Sequence, residues 1–255
     1  MRKVIVICLF TLFVIPVSST MVYGQTERIK VAVDQSYPPY MYDEKAHGLY
    51  PLLIREVFAR MEMDVEINGY PWKRALLQGE RGKEAVGGIY KNEKRMVIYD
   101  YSDPIYEEKL VIFVKRGRMF KFDELSDLRG KRVGINRGWS YGQEFDKARE
   151  SGVFAAEEAQ DNHANFKKLI NDRIDCLIAD ELSAFQILHR ENLQNVFEKL
   201  AKPAAINKAY LAFAKESGKG VILDKFNITL RTMREDGSYD RIVKTLMRAH
   251  QDEIK

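Results

Sequence analysis

The sequence predicts an α/β protein of two lobes, each a mainly parallel sheet flanked by helices, joined by a two-segment hinge. Two observations carry this. Short β-like runs alternate with amphipathic helical stretches from Arg28 to Ile89, and again from Lys131 to Leu200, which is the pattern of βαβ units. Two further apolar runs, Leu110–Val114 and Tyr210–Ala214, are placed to pass between the two series. No long linker, low-complexity tract or internal repeat interrupts the chain, so the lobes must arise from the chain crossing between them. The expected division is residues 25–114 with 211–255 in lobe 1 and 115–210 in lobe 2.

The elements follow in order. Arg28–Val33 reads as a strand ended by Tyr37-Pro38-Pro39-Tyr40, where two prolines stop a ladder. Gly48–Met61 reads as a helix with Pro51 in its first turn and an apolar stripe of Leu52, Leu53, Val57, Phe58 and Met61. A strand over Asp64–Tyr70, a short helix over Trp72–Gly79 and a strand over Glu84–Ile89 follow. After a polar turn, a second β-like run stops at Ser102-Asp103-Pro104. The second series comprises a strand at Lys131–Asn136, a helix from about Tyr141 to Glu150, and a helix at Asn162–Asn171. A strand at Ile174–Ala179, a helix at Glu181–Glu191 and a strand at Val196–Leu200 complete it. Two amphipathic helices, Gly220–Arg234 and Ser238–His250, close the chain, separated by Asp236-Gly237.

Ahead of all this stands a leader. Arg2 and Lys3 precede an apolar run from Val4 to Val17 and a segment ending Val22-Tyr23-Gly24. That is the order of a secretory signal, and the apolar run is short for a membrane span. Residues 1–24 are expected to be cleaved, leaving a soluble protein of the periplasm. Cys8 lies too early to be a lipidated first residue. Cleavage leaves Cys176 alone, so no intramolecular disulfide forms, and its apolar run makes it a small buried hydrophobe.

Composition excludes several classes. The chain has 41 basic and 37 acidic residues, and loss of Arg2 and Lys3 leaves 39 basic ones and a formal charge of +2. Such balance argues against a nucleic-acid surface. The histidines His47, His163, His189 and His250 show no metal-ligand spacing. A phosphate loop and a dinucleotide fingerprint are both missing. No metal, no cofactor and a monomer are therefore expected.

Ligands of open α/β sheets sit beyond the carboxyl ends of strands. Here those ends carry Asp34–Tyr40, Gly87–Arg95, Arg137–Ser140 and Asp180. Gly87 and Gly88 admit close approach to the backbone, and Arg95 can grip a carboxylate with paired N–H bonds. A solvated arginine after a turn is the plain alternative. Asp180 ends a strand and precedes Glu181, so a helix cap is open to it as well.

Taken together, these landmarks resemble the family 3 extracellular solute-binding proteins, which are type II periplasmic binding proteins that deliver polar amino acids to ABC importers. They are Tyr37-Pro38-Pro39-Tyr40, Gly48 and its helix, Gly87–Arg95 with Ser102-Asp103-Pro104, Leu128–Gly134, Ile174–Asp180 and Asp236–Tyr239. The resemblance covers the whole mature chain. It implies a receptor whose lobes close on an amino acid or similar zwitterion, with membrane subunits of an importer as partners. It places the ligand carboxylate on Arg95, the ammonium on Asp180, and aromatic contacts on Tyr37 and Trp72. Gly138-Trp139-Ser140 takes the place of a Gly-Thr-Thr-like loop at a helix start. Gly88 and Tyr90 fall on the site's first-lobe wall. Three departures mark this chain: Tyr90 where many members carry serine or threonine, Tyr50-Pro51 where an acidic segment is usual, and Trp139 for a small polar residue. Arg74 and Arg137 are either further cationic contacts or surface charge. The resemblance implies binding without catalysis. Exported cyclohexadienyl dehydratases on the same fold and stand-alone sensory receptors remain the alternatives.

Overall fold

Strand β1 (Ile29–Asp34) is buried at every position but Lys30, as a strand covered on both faces must be. A computed structural model describes residues 28–252, so the leader and its cleavage site lie outside the described residues. A two-residue hairpin, β2 (Ser36–Tyr37) and β3 (Met41–Tyr42), folds the Tyr-Pro-Pro-Tyr turn. Helix α1 (Leu49–Arg60) buries Leu53, Ile54, Val57 and Phe58, while Leu52, expected in the stripe, faces solvent. Strand β4 (Val65–Tyr70), helix α2 (Trp72–Glu80) and strand β5 (Ala85–Tyr90) complete the first series, with β4 and β5 parallel to β1.

The run expected to be β-like begins instead with helix α3 (Glu93–Ile98), followed by the short strand β6 (Tyr99–Tyr101). The Asn92 side chain accepts the Arg95 amide N–H at 2.8 Å, an N-cap that outweighs the β-branched Val97 and Ile98. Strand β7 (Tyr106–Lys115) is longer than the apolar run suggested. Charged residues at its alternate early positions, Glu107 and Lys109, are exposed and conceal the period.

The second series holds β8 (Arg132–Asn136), α4 (Gln143–Glu150), β9 (Ala155–Ala159), α5 (Asn162–Ile170), β10 (Cys176–Asp180), α6 (Glu181–Arg190) and β11 (Phe197–Lys199). The edge strand β9 escaped the sequence reading because Ala-Ala-Glu-Glu-Ala is exposed except at its last residue. Strand β12 (Ala205–Ala214) returns, and α7 (Gly220–Glu235) and α8 (Ser238–Asp252) end the described chain.

The strand order is β4-β1-β5-β12-β7-β10-β8-β9, with β11 on β7 and β6 on β12. Two parallel triplets, β4-β1-β5 and β10-β8-β9, thus hang on a central antiparallel pair. That pair joins Tyr106–Leu110 to Ala205–Ala209. Beyond it β7 continues beside β10, and β12 continues beside β5. Each half has apolar packing of its own. Leu223, Phe226, Leu230 and Met233 of α7 bury against the first series, with the Phe226 ring 5.7 Å from Phe58. Phe113, Phe166, Leu169, Leu177 and Phe197 cluster in the second. Cys176 is buried on β10, and burial pushes its thiol up to about 12. No helix among the described residues is long and apolar enough to cross a membrane.

Candidate ligand-binding cleft

The carboxyl ends of the two triplets face each other, and the loops beyond them meet. Tyr37 comes from β2, Trp72 from the start of α2, Gly88 and Tyr90 from β5, and Arg95 from α3. Trp139 and Ser140 come from the loop between β8 and α4. With Met41 they line one small cavity. Seven of the eight positions picked from the sequence are therefore brought together. The open space among them is about 10 Å³, room for about one water.

Arg95 is 9% exposed. Its Nη1 donates to the Tyr90 carbonyl and its Nη2 to the Gly138 carbonyl, both at 3.1 Å, so it spans the two halves. The guanidinium lies 5.8 Å from the Trp72 ring centroid. Burial lowers its pKa, but a guanidinium retains its charge in proteins. Of its five N–H donors, two are committed to these carbonyls. No carboxylate among the described residues forms an ion pair with it.

Trp139 fills the space beside the arginine. Its ring meets Tyr37 edge-on at 4.4 Å and lies 6.5 Å from Trp72. Its Nε1 donates to Asp34 Oδ2 at 3.3 Å. The Ser140 hydroxyl donates to Asp146 Oδ2, and α4 begins only after the Gly142 cap. The hydroxyl expected to face a ligand is therefore committed to the helix that follows its loop. Gly88 has φ +78°, and a Cβ there would lie 2.6 Å from Tyr50 Cδ2 and 2.9 Å from Met41 Cε. The glycine is thus required by the protein's own packing.

Asp180 is not among the residues lining this cavity. It is 1% exposed, caps α6 by accepting the Ser183 N–H at 2.8 Å, and is bonded by the Tyr40 hydroxyl. Burial raises its carboxyl to about 7. Arg74 lies over the Tyr70 ring at 4.9 Å, and Arg137 pairs with Glu158 at 3.4 Å. Neither lines the cavity.

Three buried acids were not picked from the sequence: Asp146, already described, and Asp34 and Glu108. Asp34 accepts the Ser36 N–H at 2.9 Å besides the Trp139 indole, and burial raises it to about 7. Glu108, 1% exposed on β7, accepts the hydroxyls of Tyr37, Tyr50 and Tyr90. Burial, and then the neighbouring Asp180, raise it to about 8. A period-2 reading from Leu110 back through Glu108 places both on the buried face. Contacts between α3 and α4 close one side of the cleft: Lys147 with Glu93 at 2.9 Å, Lys94 with Glu150 at 2.6 Å, and Asn92 with Asp146 at 3.3 Å. No group of three or more His, Cys, Asp or Glu among the described residues is arranged to hold a metal ion.

Two α/β halves joined by a crossing strand pair, with a buried arginine under aromatic rings between them, define a two-lobed solute-binding protein. The model of the bacterial extracellular solute-binding proteins, family 3, matches residues 29–248, and the chain belongs to that family. It is 23% identical over 214 residues to the L-cystine-binding protein TcyJ of Escherichia coli K12, covering 82% of this chain and 78% of that protein. It is 24% identical over 223 residues to the arginine-binding periplasmic protein of Mannheimia haemolytica, covering 83% of this chain and 88% of that one. A solved histidine kinase sensor domain with similarity to periplasmic binding proteins matches with a TM-score of 0.76 at 23% identity, over 86% of this chain and 96% of that one. The fold is the type II periplasmic binding fold that the sequence resemblance implied.

Proposed function

We propose that this protein is an exported receptor that closes on a small amino-acid-like zwitterion in the periplasm and presents it to the membrane subunits of an ABC importer. The observation that carries the reading is Arg95: a buried guanidinium beneath Trp72, with N–H donors uncommitted and no ion-paired acid among the described residues. Such a cation is stabilised when a ligand carboxylate meets it. Tyr37, Trp72, Tyr90 and Trp139 bound the apolar part of the ligand, and Gly88 and Ser140 complete the wall. Asp180 and Asp34 form the anionic side that faces the ammonium. The space beside Arg95 is too small for an amino acid, so binding needs Trp139 to shift or the lobes to part. The lobes divide at the paired segments 106–110 and 205–209 rather than after 114 and before 211, because residues 110–113 pair with β10 and 209–212 with β5, and this crossing allows that motion as hinge bending.

Curated relatives whose names state a cargo bind cystine and arginine, which supports an amino-acid ligand here. Calorimetric titration with a panel of L-amino acids, each beside its carboxamide analogue, tests the reading. Free carboxylates should bind and the amides should not. Equal binding of amides, or no heat from folded, ligand-stripped protein, refutes it. Binding without turnover is part of the proposal, and formation of an aromatic product from prephenate or arogenate would contradict that part. The sensor-domain neighbour supports signalling as a second use of the same closure. Loss of ligand uptake on gene deletion would favour transport over it.

A further inference from the structure

We propose that Glu108 sets the ligand charge this cleft accepts: a buried carboxylate, held behind the cavity wall by the hydroxyls of Tyr37, Tyr50 and Tyr90, selects amino acids that carry a second, side-chain cation. The inference rests on the amino-acid reading above, with Arg95 on the ligand carboxylate.

Two of the positions at which this chain departs from the usual family pattern, Tyr50 and Tyr90, converge on this one residue. Tyr90 and Tyr37 also line the cavity, so Glu108 stands one side chain behind it. The groups facing Glu108 are Tyr37 from β2, Tyr50 from α1, Tyr90 from β5, Asp180 from β10, and more distantly Tyr40 and Tyr106. Strand β12 opposes it with the uncharged Asn207. None of these is a cation. Around the cavity the buried charged residues among the described ones are therefore one guanidinium, Arg95, against four acids, Asp34, Glu108, Asp180 and Asp146, the last paired with the partly exposed Arg149 at 3.6 Å.

A ligand carboxylate on Arg95 neutralises the one buried cation among the described residues and leaves Asp34, Glu108 and Asp180 uncompensated. A zwitterion with a neutral side chain supplies one positive charge, and a basic amino acid supplies two. Behind a wall that excludes water, the second charge is felt across a ring's width. Three hydroxyl donors favour the ionised carboxylate, while burial opposes it. Glu108 is thereby poised so that an arriving cation tips it to the carboxylate, and its proton leaves to solvent.

Titration with L-arginine and L-citrulline, which match in length and differ in side-chain charge, tests this in buffers of different ionisation heat near neutral pH. Wild type should bind arginine at least about tenfold more tightly, as expected for one charge at an effective dielectric near 20, and arginine should release more protons than citrulline, whose ammonium meets Asp34 and Asp180 in the same way. Glu108→Gln should weaken arginine about tenfold more than citrulline and abolish the extra release. Tyr50→Phe, outside the cavity, should move the rise of arginine affinity to higher pH, and it carries the test if Glu108→Gln does not fold. Equal affinities in wild type, or an extra release with arginine over citrulline that survives in Glu108→Gln, overturns the proposal alone. Failure of wild type to bind any α-amino acid refutes the amino-acid reading and this inference with it.

Discussion

Replacing Glu108 by glutamine should change how stability depends on pH. In the unfolded chain the carboxyl loses its proton near 4.5, and in the fold burial holds that proton to about 8. Between these limits the folded state binds the extra proton, so its stability falls as pH rises. At about 1.4 kcal/mol per pH unit, the loss accumulated by pH 8 is on the order of 4 kcal/mol. Glutamine has no proton to lose. Its amide turns one acceptor oxygen into a donor and disturbs one of the three tyrosine bonds, at a cost of about 1 kcal/mol. Glu108→Gln should therefore be about 1 kcal/mol less stable than wild type near pH 5 and more stable near pH 8, with the curves crossing between. Asp34, raised to about 7, weakens both proteins with rising pH and cancels in the comparison, whereas Asp180, which repels a Glu108 carboxylate, ionises more easily in the variant and adds to the difference in the same direction. Asp172 and Asp175 are lowered by Lys115 and Arg132, so they titrate below the ordinary carboxylate range and outside this window. Urea unfolding across this pH range measures the difference. Parallel curves, or wild type gaining on the variant as pH rises, would refute the reasoning.

Other outcomes follow from the same packing. Trp139→Ala removes a ring that is 7% exposed and bonded to Asp34, and should cost about 3 kcal/mol in chemical denaturation; an unchanged midpoint contradicts it. Gly88→Ala forces a side chain onto a φ of +78° and against the Tyr50 ring. A loss of at least about 2 kcal/mol is expected, visible as a fall in Tm, and a Tm equal to wild type contradicts the close contact. Cys176 should resist Ellman's reagent until the protein unfolds, since the thiolate is the reactive form and burial suppresses it. Stoichiometric labelling of the native protein would show the strand exposed.

The fold was legible because its strands are buried runs bounded by Gly, Pro and Asp, and β1, β5, β8 and β10 fall within two residues of where the sequence places them. Short or exposed elements were not. Helix α3 rests on a cap from Asn92 and has too few residues for a helical period, and β9 shows no buried stripe. At the site, Arg95, Tyr37, Trp72, Gly88, Tyr90, Trp139 and Ser140 were legible from strand-end position and family resemblance. What those residues do to one another was not. That Ser140 donates to Asp146, and that Gly88 makes room for Tyr50, are facts of packing. Glu108 left a weak signal, its alternation with Leu110, obscured by the charges on either side. Its tyrosine partners lie 18 to 71 residues away in sequence, beyond any local pattern.

The central claim is that Arg95 anchors a ligand carboxylate. Arg95→Met keeps much of the side-chain volume and removes every donor, so titration of this variant beside wild type isolates the contact. Two charge-assisted bonds contribute on the order of 3–6 kcal/mol, so wild type should bind its amino acid and Arg95→Met should bind it at least about 100-fold more weakly, with Tm within a few degrees. An Arg95→Met protein that keeps its affinity within a few-fold would place the carboxylate elsewhere and contradict the account.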